Sequence, residues 1–236
     1  MLYLLSPEGI LIAAAVVPAI ALLVMVYRQD QIEREPLPLL LSLVFFGIIA
    51  TSAAKLLEQA GVFVLNSIFH EETLLYDVLL NFGIVAFAEE GSKYALLKWR
   101  TWHLPDFNYR FDGVVYATFV SLGFALWENV GYVFMYGLGT AMIRALTAVP
   151  GHACFGVFMG CWYGQARLHA GRGGASAAKA CRVLALLIPA LLHGAYDFLA
   201  TLAAYSSAWY FVAFVAVLFL ITFLLMKKLS REDRYV

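Results

Sequence analysis

The stretch Phe87-Ala-Glu-Glu-Gly-Ser-Lys93 decides the fold, because it places two adjacent carboxylates and a lysine within a long apolar segment. A charged side chain at bilayer depth costs about 3 kcal/mol or more, so such residues usually belong to functional sites. Glu89 and Lys93 are four residues apart and Glu90 and Lys93 are three apart, so the three side chains share one side of a helix. We therefore expect the remaining helices to form a cage around them.

The composition predicts an all-α, polytopic membrane protein. Of the 236 residues, 63% are hydrophobic, and apolar runs of helical length recur along the whole chain. The length suits a single membrane domain covering residues 1–236. The formal net charge is zero, which excludes the basic surface of a nucleic-acid-binding protein. The expected partner is therefore the lipid bilayer, with no nucleic acid.

Hydropathy predicts about seven transmembrane helices, and the Lys and Arg positions predict their orientation. The helices cover approximately residues 9–27, 37–57, 73–99, 111–136, 140–168, 181–204 and 209–226, and residues 59–72 are expected to form a loop with a short interfacial piece. Apart from Lys55, Lys93 and Arg144, every Lys and Arg lies at or beyond the end of helix one, three, five or seven. Because cytoplasmic loops are enriched in Lys and Arg, we expect the N-terminus outside and the C-terminus in the cytoplasm, in the inner (cytoplasmic) membrane of a bacterial-type cell.

Three further helices carry ionisable residues near their middle. Glu128 lies on the fourth helix, His152 lies on the fifth, and His193 lies one turn before Asp197 on the sixth. At a rise of about 1.5 Å per residue, the two histidines fall at depths similar to that of Glu89, and Glu128 and Asp197 lie somewhat nearer the outer face. Asp197 is placed to orient the imidazole of His193. We expect all of these groups to meet in one buried cavity.

Each of these positions also has a purely structural interpretation. The Glu-Glu pair can form an ion pair with Lys93. Glu128 and Asn129 can hydrogen-bond between helices, and His152 can be a satisfied core histidine. Arg144, two turns before His152, is expected to extend to the outer interface, with a substrate contact as the alternative.

The fifth helix carries a stripe of small residues below His152. Gly156, Gly160 and Gly164 follow at intervals of four residues. Small residues with this spacing let a second helix approach closely. The stripe therefore predicts tight packing of this helix against a neighbour.

These residue types suit the hydrolysis of an amide, which needs an activated water, a base and stabilisation of the oxyanion. One of Glu89 and Glu90 is expected to activate water, and the other to stay protonated or to pair with Lys93. His152 or His193 is expected to stabilise the oxyanion or to bind a metal. No serine nucleophile motif is evident, and the three cysteines are expected to be small core residues.

The order of these motifs resembles that of the PrsW-type intramembrane proteases, distant relatives of the CAAX-prenyl endopeptidases and the bacteriocin-processing membrane proteases. Glu89-Glu90-x-x-Lys93 resembles the first motif of the family. Phe111-Asp-Gly-Val-Val-Tyr-Ala117, followed by Gly123-Phe124-x-x-x-Glu128-Asn129, resembles the second block. His152 and His193-Gly-x-Tyr-Asp197-Phe198 resemble the later ones.

The resemblance implies hydrolysis of a peptide bond within the membrane, with a single-span membrane protein such as an anti-sigma factor as substrate. The residues expected to be catalytic are Glu89, Glu90, Glu128, His152, His193 and Asp197, with Lys93, Asn129 and Phe124 in support. Two other classes of function stay open on the residues alone. A proton-coupled transporter or channel also uses intramembrane Glu, His and Asp, and a lipid-handling hydrolase shares the same water chemistry.

The sequence leaves the question of a zinc ion open. His152, His193 and one of Glu89 or Glu90 supply the two-His, one-Glu set of a catalytic zinc site. Lys93 opposes this interpretation, because a nearby cation competes with a metal for the same negative charge. The expected cofactor is therefore Zn²⁺ or none.

Overall fold

A computed structural model describes residues 6–70 and 73–236, and these residues are almost entirely helical. The helices are α1 Pro7–Gln29, α2 Leu37–Ile68, α3 Leu74–Val78, α4 Ala86–Thr101, α5 Asp112–Tyr136, α6 Leu138–Leu146, α7 Ala148–Gly171, α8 Ala175–Tyr205 and α9 Trp209–Arg231. A π-helical segment, Leu79–Val85, joins α3 to α4. The described residues contain no β-strand, only one antiparallel bridge between Tyr109 and Tyr235. The all-α prediction is confirmed.

Among the described residues, six helical segments are long and apolar enough to cross a membrane. They are Pro7–Gln29, Leu37–Ile68, Asp112–Tyr136, Leu138–Gly171, Ala175–Tyr205 and Trp209–Arg231. The fourth of these joins α6 and α7, which the sequence predicted as one helix. The chain is a polytopic helical membrane protein.

Residues 74–101 make a further passage across the bundle, although the Glu-Glu pair and Lys93 leave α4 far less apolar than these six segments. Glu35 lies just before α2, and Asp112 is the first residue of α5. Their carboxylate oxygens lie within 4.8 Å of each other. Because α2 and α5 begin on the same face, the chain must return to that face between them, and α3 to α4 provide the return. The orientation of the termini stays a prediction, and residues 1–5 lie outside the described part of the chain.

Helix α2 is longer than the sequence predicted. It runs to Ile68 instead of ending near Leu57, so residues 59–68 are helical, and residues 71 and 72 of the predicted loop lie outside the described residues. The extension packs tightly on the π-helical segment, since a Cβ on Gly61 would lie 2.6 Å from Ile84 Cγ2. This tertiary contact stabilises turns that local polarity had suggested were a loop.

Helix α5 lies at the centre of the bundle, and its first half is buried on every side. The small-residue stripe of α7 packs against it, as predicted. A Cβ on Gly156 would lie 2.8 Å from Thr118 Cα, and one on Gly160 would collide with the backbone of Gly113. This close approach holds α7 against α5 and fixes the height of His152 beside α5.

One end of the bundle, which we call the C-terminal face, consists of residues 30–36, 102–111 and 232–236. The tail pairs with the segment before α5, because Arg110 N donates to Arg234 O at 2.9 Å and Val236 N donates to Asn108 O at 2.8 Å. Buried negative charge is concentrated nearby. Burial raises the pKa of Asp30 from its ordinary value to about 6, and neighbouring carboxylates add to this shift.

Candidate active site

The Glu-Glu pair lies at the start of α4, directly after the π-helical segment. π-Helical turns are rare and occur often at functional sites. Ala86 and Ala88 are buried beside the pair, and their small side chains let α4 pack closely within the bundle. Glu90 and Lys93 are 0% exposed and Glu89 is 5% exposed. The three charges are therefore inside the protein and not on its lipid-facing surface.

Lys93 lies at the centre of the site. Its Nζ donates to Glu90 Oε1 at 2.8 Å and to Glu89 Oε2 at 3.2 Å. The same Nζ lies 3.1 Å from Nδ1 of His152 and 3.9 Å from the ring centroid of Phe124. An ammonium has three N–H groups, and here each faces an acceptor on a neighbouring side chain. Lys93 thus offsets the negative charge of the Glu-Glu pair from within.

His152 connects this group to α5. Because a charged lysine only donates, Nδ1 of His152 must accept from Lys93, which leaves the imidazole proton on Nε2. His152 Nε2 lies 3.1 Å from Glu128 Oε2 and donates to it. The backbone carbonyl of His152 accepts from Ser121 Oγ at 2.7 Å, which fixes the position of α7 here. The two ring nitrogens of His152 are therefore both engaged by protein groups.

Arg144 is the second cation of the site. Its Nη2 donates to Glu128 Oε2, and its Nε donates to Asn129 Oδ1 at 3.0 Å. Asn129 in turn donates to the carbonyl of Ala15 at 2.9 Å. The guanidinium lies 3.9 Å from the ring centroid of Tyr132. The expectation that Arg144 extends to the outer interface is wrong, because α6 turns it inward onto the carboxylate of α5.

His193 enters the site from α8, and its ring centroid lies 5.2 Å from that of His152. Its Nδ1 lies 2.9 Å from Glu90 Oε1, and its Nε2 lies 3.3 Å from Asp197 Oδ2 and 3.8 Å from Glu89 Oε2. The ring stacks on Phe155 with centroids 4.7 Å apart. The predicted pairing of His193 with Asp197 is confirmed. We call Lys93 with Glu89, Glu90, His152 and His193 the Lys93 cluster.

A cavity of about 430 Å³ opens onto the Lys93 cluster, and we call it the main cavity. Its polar lining consists of Asn81, Glu89, Glu128, Tyr132, Arg144, His152, His193, Tyr196, Asp197 and Thr201. A second cavity of about 230 Å³ lies toward α2 and includes Lys55 and Glu58. Glu89 and Glu128 line both cavities, as do Val85 and Tyr132, so these four residues form the partition between them. The polar residues predicted to meet in one place do meet.

The two glutamates of the pair differ in what they can reach. Glu89 lines both cavities, whereas Glu90 lines neither. Glu90 Oε1 bonds to Lys93 and His193, and its Oε2 is buried without a hydrogen-bond partner. Of the two glutamates of the pair, only Glu89 is therefore placed to contact a water or substrate in the main cavity.

Several residues of the main cavity were not predicted from the sequence. Asn81 is buried in the π-helical segment, two turns before Glu89, and its Nδ2 donates to the Asp77 carbonyl at 2.8 Å. A polar residue inside an apolar helix indicates a functional site, and Asn81 could have been found by the same criterion that identified Glu89. Tyr196 lies within the His193-Gly-x-Tyr-Asp197-Phe198 motif, but the sequence assigned it no role. Thr201 lies in a part of α8 where aromatic and hydroxyl residues are common, so nothing in the sequence distinguished it.

The fold and site define a class, namely a polytopic helical membrane protein with a buried cluster of acid–base groups beside an internal cavity. A family model described as "PrsW family intramembrane metalloprotease" matches residues 35–225. The chain belongs to this family. The match contains α2 to α8 and every site residue that the sequence predicted.

Curated relatives agree with this assignment. Protease PrsW of Bacillus subtilis (strain 168) is 34% identical over 208 residues, which cover 88% of this chain and 90% of the Bacillus protein. Protease PrsW of Halalkalibacterium halodurans (strain ATCC BAA-125 / DSM 18197 / FERM 7344 / JCM 9153 / C-125) is 31% identical over 225 residues, which cover 95% of this chain and 99% of that relative. Protease PrsW of Clostridioides difficile (strain 630) is 26% identical over 226 residues, which cover 94% and 92%. No solved structure matches the chain.

The protein is an intramembrane protease, and the resemblance seen in its motifs is confirmed. Neither the transporter nor the lipid-hydrolase alternative is supported by these relatives, which are all named as proteases.

Proposed function

We propose that Glu89 is the general base of the protease and activates a water held in the main cavity. The observation that carries this proposal is the difference in access between the two glutamates, because Glu89 faces both cavities and Glu90 is enclosed. A base must lie within hydrogen-bond reach of the proton that it removes. Glu90 then serves as a positioning residue that holds Lys93 and His193.

In the proposed step, Glu89 takes a proton from the water while the water oxygen attacks the carbonyl carbon of the substrate. The C–O bond forms, and the carbonyl oxygen becomes an oxyanion. Glu89 then returns the proton to the peptide nitrogen as the C–N bond breaks. The base thus ends the cycle in the state in which it began.

The oxyanion needs N–H donors close to the water, and two histidines line the main cavity. His193 Nε2 lies 3.8 Å from Glu89 Oε2, so an N–H at this atom is adjacent to the attacking water. His152 is not free to donate to the oxyanion, because its Nδ1 accepts from Lys93 and its Nε2–H is bound to Glu128. We propose His193 as the principal donor. Glu90 orients its ring through Nδ1, and Asp197 shares the N–H at Nε2.

The name of the family implies a metal ion, so we asked whether the side chains of the site could bind one. Ligand atoms of Glu89, Glu90, His152 and His193 lie within 4.8 Å of one another, and their chemistry suits zinc. Lys93 Nζ, however, lies within 3.2 Å of an atom of three of these four residues. Its ammonium occupies the position of a bound cation and engages the lone pairs that a metal would need. The set as arranged does not fit a zinc ion, and no step of the proposed mechanism requires one.

We propose a single-span membrane protein, such as an anti-sigma factor, as the substrate. The site is buried within a bundle of membrane-spanning helices, so a membrane-embedded segment is the kind of chain that can reach it. The Lys and Arg distribution supports insertion in the inner membrane with the C-terminal face in the cytoplasm.

The test is cleavage of tagged single-span peptides by the purified protein in proteoliposomes. Glu89→Gln keeps the side-chain volume and removes the base, so we expect cleavage to fall by about 10²-fold to 10⁴-fold. Changing Cys154, Cys161 and Cys181 together to Ala is the matched control. All three cysteines lie in the described part of the chain and none lines the main cavity, so cleavage should persist. Undiminished cleavage by a folded Glu89→Gln protein would refute the assignment.

A further inference from the structure

A second group of carboxylates lies on the C-terminal face, away from the protease site. Asp30 follows α1, Glu35 precedes α2, and Asp112 begins α5. One carboxylate oxygen from each lies within 4.8 Å of the other two, and the three residues are 3%, 5% and 1% exposed. We call these three residues the acidic cluster. Asp112 is sixteen residues from Glu128 along α5, so the acidic cluster and the protease site are about 24 Å apart.

The acidic cluster lacks an internal cation. Within residues 6–70 and 73–236, no Lys or Arg nitrogen forms an ion pair with any of the three carboxylates, in contrast to the Lys93 cluster. Nearby Arg34 instead lies 5.5 Å from the ring centroid of Tyr27. Buried charge without a partner is costly, so these three carboxylates can be ionised together only if a cation from outside the chain compensates them.

One carboxylate oxygen of the acidic cluster has no hydrogen-bond partner, which indicates where a compensating cation would bind. Asp112 Oδ2 accepts from the backbone N–H groups of Asn108 and Tyr109, at 3.0 Å and 2.6 Å. Asp30 Oδ2 is fully buried and has no hydrogen-bond partner. A buried carboxylate oxygen almost always has one, so this atom lacks the donor or ion that its position requires.

We propose that Asp30, Glu35 and Asp112 bind a hard divalent cation, Mg²⁺ or Ca²⁺. All three ligands are carboxylates, which these ions prefer, and the acidic cluster contains neither the nitrogen nor the sulfur ligands favoured by zinc. Two oxygens that bind one ion at about 2.4 Å are at most about 4.8 Å apart, and the three oxygens of the acidic cluster satisfy this limit. Water and backbone carbonyls complete the coordination.

The cation would join three elements that are distant in sequence. It connects the end of α1, the start of α2 and the start of α5, and Asp112 also holds the turn at residues 108–109. That turn pairs with the C-terminal tail. A bound cation would therefore hold the segments of the C-terminal face together, and it should raise the stability of the whole bundle.

The test uses Mn²⁺ as a spectroscopic probe on the purified full-length protein in detergent, with free Mn²⁺ measured by electron paramagnetic resonance. We expect one Mn²⁺ per chain, displaced by excess Mg²⁺ or Ca²⁺, and whichever displaces it at lower concentration identifies the preferred ion. Asp30→Asn and Glu35→Gln should each weaken binding by about tenfold or more, because the number of charged ligands sets the affinity. Glu33→Gln is the matched control, since Glu33 lies in the same loop but bonds to Asn108 outside the acidic cluster.

The Glu89→Gln/Glu90→Gln protein separates this site from the protease site, and it should bind Mn²⁺ as the unchanged protein does. Mn²⁺ should also raise the midpoint of thermal unfolding of the unchanged and Glu33→Gln proteins, but not that of Asp30→Asn. Asp30→Asn keeps the shape of the side chain and breaks no hydrogen bond at Oδ2, so it should fold; Glu35→Gln provides the same test if it does not. Absence of Mn²⁺ binding at millimolar concentration would overturn the proposal. The proposal would also be overturned if Mn²⁺ binding were lost only in the Glu89→Gln/Glu90→Gln protein. Unchanged Mn²⁺ binding by both Asp30→Asn and Glu35→Gln would overturn it as well.

Discussion

The Lys93 cluster and the acidic cluster bury carboxylates in two different ways. In the Lys93 cluster, the ammonium of Lys93 bonds to both glutamates of the pair. Beside the cluster, Arg144 bonds to Glu128, so the chain supplies its own cations. In the acidic cluster, three carboxylates converge without one among the described residues. Under the two proposals above, the same residue type serves opposite purposes. Glu89, beside its internal cation, transfers a proton, whereas the carboxylates of the acidic cluster bind an external ion.

The largest expected effect comes from removing the internal cation. Lys93→Met leaves the Glu-Glu pair buried without a partner, so we expect a loss of about 3–5 kcal/mol in the free energy of unfolding. Adding Glu89→Gln and Glu90→Gln to the same protein removes the unpaired charges and should restore much of that stability without restoring cleavage. Denaturation in detergent measures both.

Lys55→Met is the matched control for this experiment, since Lys55 is exposed on α2 and contacts neither glutamate of the pair. Its free energy of unfolding should change by no more than about 0.5 kcal/mol. If Lys93→Met were as stable as Lys55→Met, the idea that Lys93 compensates the pair would fail.

A smaller effect is expected at Arg144, which acts on the site through Glu128. Arg144→Met should lower cleavage by about 10-fold to 10²-fold, because Glu128 and His152 lose their fixed positions. Arg144→Lys keeps the positive charge and should retain more activity, although it loses the second bond to Asn129. Equal cleavage by the unchanged and Arg144→Met proteins would show that the contact is only structural.

The smallest effect is expected at the acidic cluster when divalent cations are removed. In the presence of a chelator, Asp30→Asn should leave the protein as stable or up to about 1 kcal/mol more stable, since it removes one of three like charges. The same substitution should be destabilising when the ion is present. Thermal unfolding with and without chelator measures the difference, and a loss of stability under both conditions would contradict the comparison.

Much of the architecture could be predicted from the sequence because its signals are local. Hydropathy located the helices, and the placement of Glu89, His152 and His193 at similar depths predicted that they would meet. The four-residue spacing of His193 and Asp197 predicted their contact, which the structure confirms at 3.3 Å.

The parts that could not be predicted depend on contacts between distant residues. The extension of α2 to Ile68 depends on the packing of Gly61 against Ile84, and the break between α6 and α7 turns Arg144 toward Glu128. Local polarity cannot reveal either contact. Asp30 and Asp112 meet only because α2 leaves the C-terminal face and α4 returns to it, so the acidic cluster was invisible in the sequence.

The central claim is that Lys93, and not a metal, is the cation of the protease site, with Glu89 as the activator of water. The most direct measurement combines elemental analysis of the purified protein with cleavage of a tagged single-span peptide, before and after treatment with a strong chelator. It is repeated on His152→Ala and His193→Ala. With Mg²⁺ and Ca²⁺ kept in excess so that only zinc is removed, we predict full cleavage by protein that contains no stoichiometric zinc and is insensitive to the chelator. One zinc per chain, lost together with activity in both histidine variants and after chelation, would contradict the claim.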